Sequence, residues 1–283
     1  MIDLHMHTNI SDGTDPPEEM CSRMKNAGVT LFSVTDHDAI AGCERIAAAR
    51  EKEDPAFVFG VEFSCKDEEG KYHILGYGYD AGTEPIRKVV KHGHALRMYK
   101  LEARLAFLKE HFGFTFPENE IRELKALSNP GKPHIGNLMV RHGYAQSRGE
   151  AIKKYLNQLQ MKTEYIRPEE AISGILGSGG IPVLAHPTFG DGDQLIMGEE
   201  MDVRIRKLMA FGLKGLEGFY SGFTEPIRAE ILAFAEKYGL YVTAGSDYHG
   251  TNKMIEIGDT GLEIAQGMPE GLRRFLADVR RLE

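Results

Sequence analysis

Histidines and carboxylates recur in this chain at spacings that suit metal ligation. His5 and His7 stand two apart in DLHMHTNISDG, His37 lies in VTDHD, Glu62 in GVEFS, His73 in YHILGY, His186 in LAHP, and Asp247 with His249 in GSDYHG. Residues i and i+2 of a strand point to one face, so His5 and His7 can hold one ion from a single strand. Mixed imidazole and carboxylate ligands suit zinc, manganese or iron. Too few carboxylates converge for a calcium cage, and the lack of thiols argues against a structural zinc site. The chemistry open to such a set is hydrolysis by metal-activated water. Of eleven histidines, six belong to this pattern; the other five, His92, His94, His111, His134 and His142, cluster in mid-chain.

Nearly all of these residues close short apolar runs. Strands are expected near 2–5, 30–34, 57–62, 72–75, 182–185, 214–218 and 241–245, and helices over 16–27, 38–52, 168–177, 200–210 and 224–237. The βαβα order implies an α/β fold with a mainly parallel sheet. Seven strands so arranged predict a distorted (β/α)7 TIM-like barrel, with ligands gathered at its mouth. No GxGxxG follows the first strand, which disfavours a dinucleotide fold. Asp36 and Asp38 flank His37; Asp38 is expected to cap the helix that follows.

Residues 86–165 break the alternation. A long amphipathic helix with Leu96, Leu101, Leu105 and Leu108 on its apolar side, then shorter helices around 117–127, 134–142 and 147–159, predict an inserted helical cap. The barrel is then 1–85 and 166–283, with linkers near Gly82–Pro85 and Thr163–Pro168. The net charge is −8, yet residues 87–170 hold sixteen Lys/Arg against nine Asp/Glu. A basic segment on an acidic body suits a local site for a small anion rather than broad nucleic-acid coating. Three scattered cysteines without a CxxC, no apolar run of membrane-spanning length and no signal-peptide pattern point to a reduced, cytoplasmic protein.

DLHMHTNISDG, VTDHDAI, GVEFS, HILGY, AHP and GSDYHG, in that order, resemble the motifs of the PHP (polymerase and histidinol phosphatase) family over about residues 1–85 and 166–260. The resemblance implies a distorted (β/α)7 barrel with two or three divalent metal ions (Mn, Fe or Zn). It implies one ion on His5, His7, Glu62 and Asp247, a second sharing Glu62 with His73 and His186, and a third on Asp12, His37 and His249. The insert is similar to the cap of PHP phosphoesterases that act on small nucleotides or related phosphates.

The expected activity is metal-dependent phosphoester hydrolysis of a small phosphorylated metabolite, a nucleotide 3′,5′-bisphosphate or a cyclic phosphate, by attack of a metal-bridging hydroxide on phosphorus. Asp247, His249 and His186 are the catalytic candidates, the two histidines also as proton donors to the leaving oxygen. In the insert, Arg97, Lys132, His134 and Arg141 are candidates for a second phosphate, Lys132 and His134 lying at a helix start where backbone N–H groups favour an anion. Ser221, with Glu217, Tyr220 and Phe189, is placed to touch a sugar or stack on a base. A small nucleotide or sugar phosphate is the expected partner, with neither membrane nor long nucleic acid. Competing readings are a histidinol-phosphate phosphatase, a 3′–5′ exonuclease on single strands, an amidohydrolase and a non-catalytic metal-stabilised binding module.

Overall fold

A computed structural model describes residues 1–161, 164–190, 194–263 and 267–283. Thr163, expected in a linker, lies outside the described residues. Seven strands are found among them: β1 (Ile2–Asp3), β2 (Leu31–Val34), β3 (Ala56–Lys66), β4 (Lys71–Tyr77), β5 (Ile181–Leu184), β6 (Gly215–Tyr220) and β7 (Tyr241–Gly245). They pair in sequence order, and β1–β2, β2–β3, β5–β6 and β6–β7 are parallel. The sheet nearly closes on itself. Leu4 N–H donates to Ala244 O at 2.9 Å and His7 N–H to Tyr248 O at 2.8 Å, so the chain beyond β1 runs beside the chain beyond β7.

Strand β4 departs from the expected parallel order: it is antiparallel to both neighbours. The connection from β3 is a hairpin in which Asp67 N–H donates to Gly70 O, with Gly70 at φ 147°. So short a link cannot reverse the chain twice, as a parallel crossover requires. The reversal brings the start of β4 to the end where the other strands finish. His73 reaches the common mouth from the beginning of its strand, not from its end.

Helices α1 (Met20–Ala27) and α2 (Ala41–Ala49) cover one face of the first strands, where Met20, Met24, Cys43 and Ile46 pack on Phe32, Val34 and Phe57. Strand alternation turns Leu31 and Val58 to the opposite face. There they join Leu4, Leu75, Tyr77, Val183 and Ala185 with Phe275 and Val279. The remaining helices are α3 (Glu84–Phe112), α4 (Glu118–Ala126), α5 (Lys132–Arg141), the single turn α6 (Arg148–Glu150), α7 (Pro168–Gly177), α8 (Gly198–Phe211), α9 (Glu225–Lys237) and α10 (Glu270–Asp278).

Two compact units emerge, Met1–Val90 with Tyr165–Glu283, and Lys91–Glu164. The first boundary falls inside α3, a few residues beyond the one read from the sequence. The reason is packing: Ile86 and Val89 are buried in the first unit, and Gly174 of α7 gives Val89 its room. The second unit has its own core of Leu101, Leu108, Leu124, Ile135, Leu138 and Met139. Leu101, Leu105 and Leu108 repeat at i, i+4 and i+7, the spacing of one helix face.

Candidate metal centre

The ligand-type residues converge where the strands end. Beyond β1 the chain stays extended, which aims His5 and His7 the same way, and Asp247 N–H donates to His5 O at 2.7 Å. Gly245 makes this approach possible: a Cβ there would overlap that of His5 and come within 2.7 Å of Glu217 Oε1. Glu62, on β3, is 1% exposed and lies at the centre. Its Oε2 is 3.3 Å from His5 Nε2, 3.2 Å from His7 Nε2 and 3.1 Å from His37 Nδ1. Its Oε1 is 2.7 Å from His73 Nδ1 and 3.2 Å from His186 Nε2. Asp247 Oδ1 stands 3.6 Å from His5 Nε2 and 3.4 Å from both His7 Nε2 and His249 Nδ1. Asp12 Oδ1 is 3.3 Å from His249 Nε2, and its Oδ2 is 3.8 Å from His37 Nε2. All nine residues expected as ligands are thus neighbours in space.

These atoms fit divalent ions. His5 Nε2 and His7 Nε2 are buried and make no hydrogen bond, although each faces two carboxylates. A ligand shell of about 2.1 Å radius has edges of about 3.0–3.4 Å, close to the separations above. Three groups of side chains each bring one ligand atom apiece within 4.8 Å of each other: His7, Asp12, His37 and His249; His5, His7 and Asp247; His37, Glu62 and His73. Burying this many ionisable groups together is costly without a cation among them.

Outer partners fix which ring nitrogen faces the centre. His5 Nδ1–H donates to Glu217 Oε1 at 2.8 Å, leaving Nε2 for the inside. Glu217 Oε2 accepts from His186 N–H at 2.7 Å. His249 Nδ1–H donates to Asp247 O at 2.8 Å, which turns its Nε2 toward Asp12. Such partners orient a ligand and raise its basicity. Glu217 is fully buried in the middle of β6, so it does not touch a sugar as the sequence suggested; it holds two histidines instead. Ser221 Oγ–H donates to Ser246 O at 2.9 Å, so its proton is already committed.

The loop carrying Asp12 is tied down by Asp36, which accepts from Thr8 N–H at 2.8 Å and from the hydroxyls of Thr8 and Ser11 at 2.7 Å each. Asp38 does not cap α2. The cap position is Ile40, with no side-chain bond, and Asp38 Oδ1 instead accepts from Ser64 N–H at 2.9 Å, joining the His37 loop to β3. Asp38, His186 and Asp247 hold positive φ of 51°, 25° and 60°, and they are the non-glycine residues of the described chain that do so. Each such conformation costs on the order of 1–3 kcal/mol and is kept only where the surroundings enforce it.

Electrostatics follows from the crowding. Burial favours neutral His5, but Glu217, Glu62 and Asp247 outweigh it and hold the ring protonated well above its ordinary range. Burial likewise opposes charge on His7, and Asp247, Glu62 and Asp12 raise it to about 9. Burial lowers His37 to about 3, with His7 and His73 adding to the effect against Glu62 and Asp12. Burial works against ionised Glu62, Asp12 and Asp247, yet the surrounding imidazoles keep all three well below the usual carboxylate range.

Two residues at this mouth were not singled out from sequence as parts of the centre: Glu217, and Lys253, whose ammonium meets Asp247 Oδ2. Tyr220 OH donates to the same oxygen at 2.9 Å. Beside it Phe189, 39% exposed, lies 5.7 Å from the His186 ring and 5.8 Å from Tyr220, an aromatic wall at the edge of the centre. The four candidates in the second unit are placed by their own neighbours. Arg141 pairs with Glu120 at 3.4 Å, Lys132 Nζ donates to Asn157 Oδ1 at 2.5 Å, and His134 Nδ1 accepts from Gly131 N–H at 3.2 Å. Arg97 lies on α3.

The profile of the PHP domain matches residues 3–166. The chain belongs to the PHP domain family. A 5′-3′ exoribonuclease from Haemophilus influenzae is 29% identical over 261 residues, covering 90% of this chain and 92% of that protein. A 3′,5′-nucleoside bisphosphate phosphatase from Chromobacterium violaceum is 28% identical over 258 residues, covering 88% and 87%. A solved structure from Bifidobacterium adolescentis, described as a metal-dependent phosphoesterase, superposes with a TM-score of 0.81 at 26% identity, covering 98% of this chain and 96% of that one. Barrel, family and relatives agree with the metal-dependent phosphoesterase read from the sequence. No helix among the described residues is long and apolar enough to cross a membrane.

Proposed function

We propose that this PHP protein hydrolyses the phosphate ester on the 3′ oxygen of a small nucleotide that also carries a 5′ phosphate. The observation that carries this reading is Glu62, whose two oxygens divide five imidazoles into two neighbouring groups. In this reading His5, His7, Glu62 and Asp247 would hold one ion, Glu62 with His73 and His186 a second, and Asp12, His37 and His249 a third. Manganese, iron or zinc suits these donors. When bound, such ions supply a nucleophilic water at neutral pH and offset charge on the phosphoryl oxygens.

The chain's own residues do the positioning. Glu217 sets the His5 tautomer and pins the His186 backbone. We assign Asp247, His249 and His186 as ligands first, since each turns a ligand atom toward the carboxylate–imidazole cluster. The Phe189 and Tyr220 rings offer an apolar surface on which a base can stack; residues 87–170, with their excess of Lys/Arg and with Arg97, Lys132, His134 and Arg141, offer candidates of their own for a phosphate.

The exoribonuclease relative favours a second substrate for the same chemistry. Removing the first residue of a 5′-phosphorylated RNA breaks the ester at its 3′ oxygen, the bond that a 3′,5′-bisphosphate phosphatase of 3′ specificity also hydrolyses. The test is product release by Mn²⁺-loaded protein from adenosine 3′,5′-bisphosphate, a cyclic phosphate, histidinol phosphate and short RNAs with and without a 5′ phosphate. Free phosphate from the bisphosphate, leaving the 5′-monophosphate, is expected. Turnover of histidinol phosphate alone, or of none of these by protein shown to hold its metals, would overturn the reading.

A further inference from the structure

The carboxylate of Asp247 is used from two sides. Oδ1 faces three histidines, whereas Oδ2 points away from them and takes the Tyr220 hydroxyl and the Lys253 ammonium. Lys253 is held where it can do more than pair. It follows the short helical turn Gly250–Asn252, which is fastened to the Asp12 loop: Asn252 Nδ2 donates to Asp12 O at 2.7 Å and Thr251 N–H to Thr14 Oγ1 at 3.0 Å. The Lys253 side chain is 37% exposed, while that of Asp247 is 7% exposed. The cation therefore sits on the solvent side of the cluster, one carboxylate away from His5 and His7.

An ammonium has three donors, and among the described residues Lys253 directs one to Asp247. When an ion takes up the charge of Asp247, the ammonium loses most of its electrostatic hold there. A phosphoryl oxygen brought to the same ion is the strongest partner then within reach of its flexible stem, and lysine serves phosphate as a point charge rather than as a rigid fork. We propose that Lys253 is a phosphate-binding residue of the centre, passing from Asp247 to a non-bridging oxygen of the substrate and of the phosphate product. This rests on the phosphoesterase reading above, and it requires no bond to be made or broken by Lys253 itself.

Binding of inorganic phosphate to Mn²⁺-loaded protein, followed by calorimetry with metal content measured on the same samples, tests it. Lys253→Met should keep the wild-type metal content and weaken phosphate about tenfold or more, the loss of one charge-assisted contact. Lys253→Arg should retain most of the affinity. Lys237→Met removes the same charge from a lysine at the end of α9 that pairs with Asp202 outside the centre, and should leave phosphate binding near the wild-type value. Equal phosphate affinity in wild type and Lys253→Met overturns the proposal. So does a loss of metal in Lys253→Met that accounts for the weaker phosphate, because Lys253 would then be a brace for Asp247, and so does an equal loss in Lys237→Met, which would make the effect one of net charge alone. If loaded wild-type protein binds no phosphate at all, the phosphoesterase reading falls with it; if wild type binds and Lys253→Met matches it, only the role of Lys253 falls.

Discussion

At the scale of single residues, metal and protons compete for the same nitrogens. His7 is raised to about 9 from an ordinary 6.5 by carboxylates that prevail over burial, so in the metal-free protein it is protonated at neutral pH. An ion needs the neutral ring. Loading at pH 7 should therefore release protons, and affinity should fall as pH is lowered. Calorimetry in two buffers of different ionisation enthalpy counts them; an identical heat in both contradicts the expectation. For the metal-free fold the sign is opposite. A raised histidine contributes stability in full below pH 6.5, and the contribution is lost as pH climbs to about 9. Glu217→Gln keeps the shape of its side chain but removes the charge behind His5. It should weaken metal binding about 10- to 100-fold with the fold retained, as judged by competition with a chromophoric chelator. Most of the candidate ligands stood out in sequence because they lie at or near the ends of apolar runs. Glu217 carried a fainter signal, a lone carboxylate inside the strand run GLEGFY, where alternation gives it no route to solvent. Lys253 had none, since a lysine three residues past a motif looks like any loop lysine.

At the scale of elements, backbone approach matters as much as side-chain identity. Gly245 ends β7 beside His5, and no side chain fits between them. Gly245→Ala should cost about 3 kcal/mol, the upper part of the range for overpacking, and should lower metal affinity because His5 must move. Thermal unfolding with and without metal separates the two effects; an unchanged melting temperature would show that the seam yields easily. The positions of the seven strands and of the major helices followed from hydrophobic period and from Pro/Gly punctuation. The direction of β4 did not. Its signal was present in KDEEGK, a turn too short for a crossover helix, but the alternating order elsewhere outweighed it. The Asp38 cap failed for a related reason: an Asp before a helix suits a cap only if the chain turns directly into the helix, and here two residues intervene while Asp38 bends back to β3.

At the scale of the molecule, the first unit brings nine His, Asp and Glu side chains together at one mouth, so this cluster is a local instability that a cation relieves. Saturating Mn²⁺ or Zn²⁺ should raise the melting temperature reversibly, and a chelator should return it. At a hundredfold excess over the dissociation constant the gain is about 2.7 kcal/mol per ion bound only by the folded state. No shift in protein shown by analysis to carry metal would contradict the fit argued from His5 Nε2 and His7 Nε2. Residues 86–165 read as helical where the rest of the chain alternates; α3 runs unbroken from Glu84 to Phe112, and only tertiary packing assigns its first turns to the first unit.

The bond between His5 O and Asp247 N joins residues separated by nearly the whole chain. During synthesis the first histidine pair leaves the ribosome before the residues that will enclose it have been made. A nascent chain ending short of Gly245 has His5 and His7 with β2 on one side but nothing on the side that β7 will take, and such distant pairings form late because loop closure must precede their reward. In the reading proposed above, a chain stopped before Gly245 lacks Asp247 and His249, so the candidate centre closes only once β7 and the residues after it have been made.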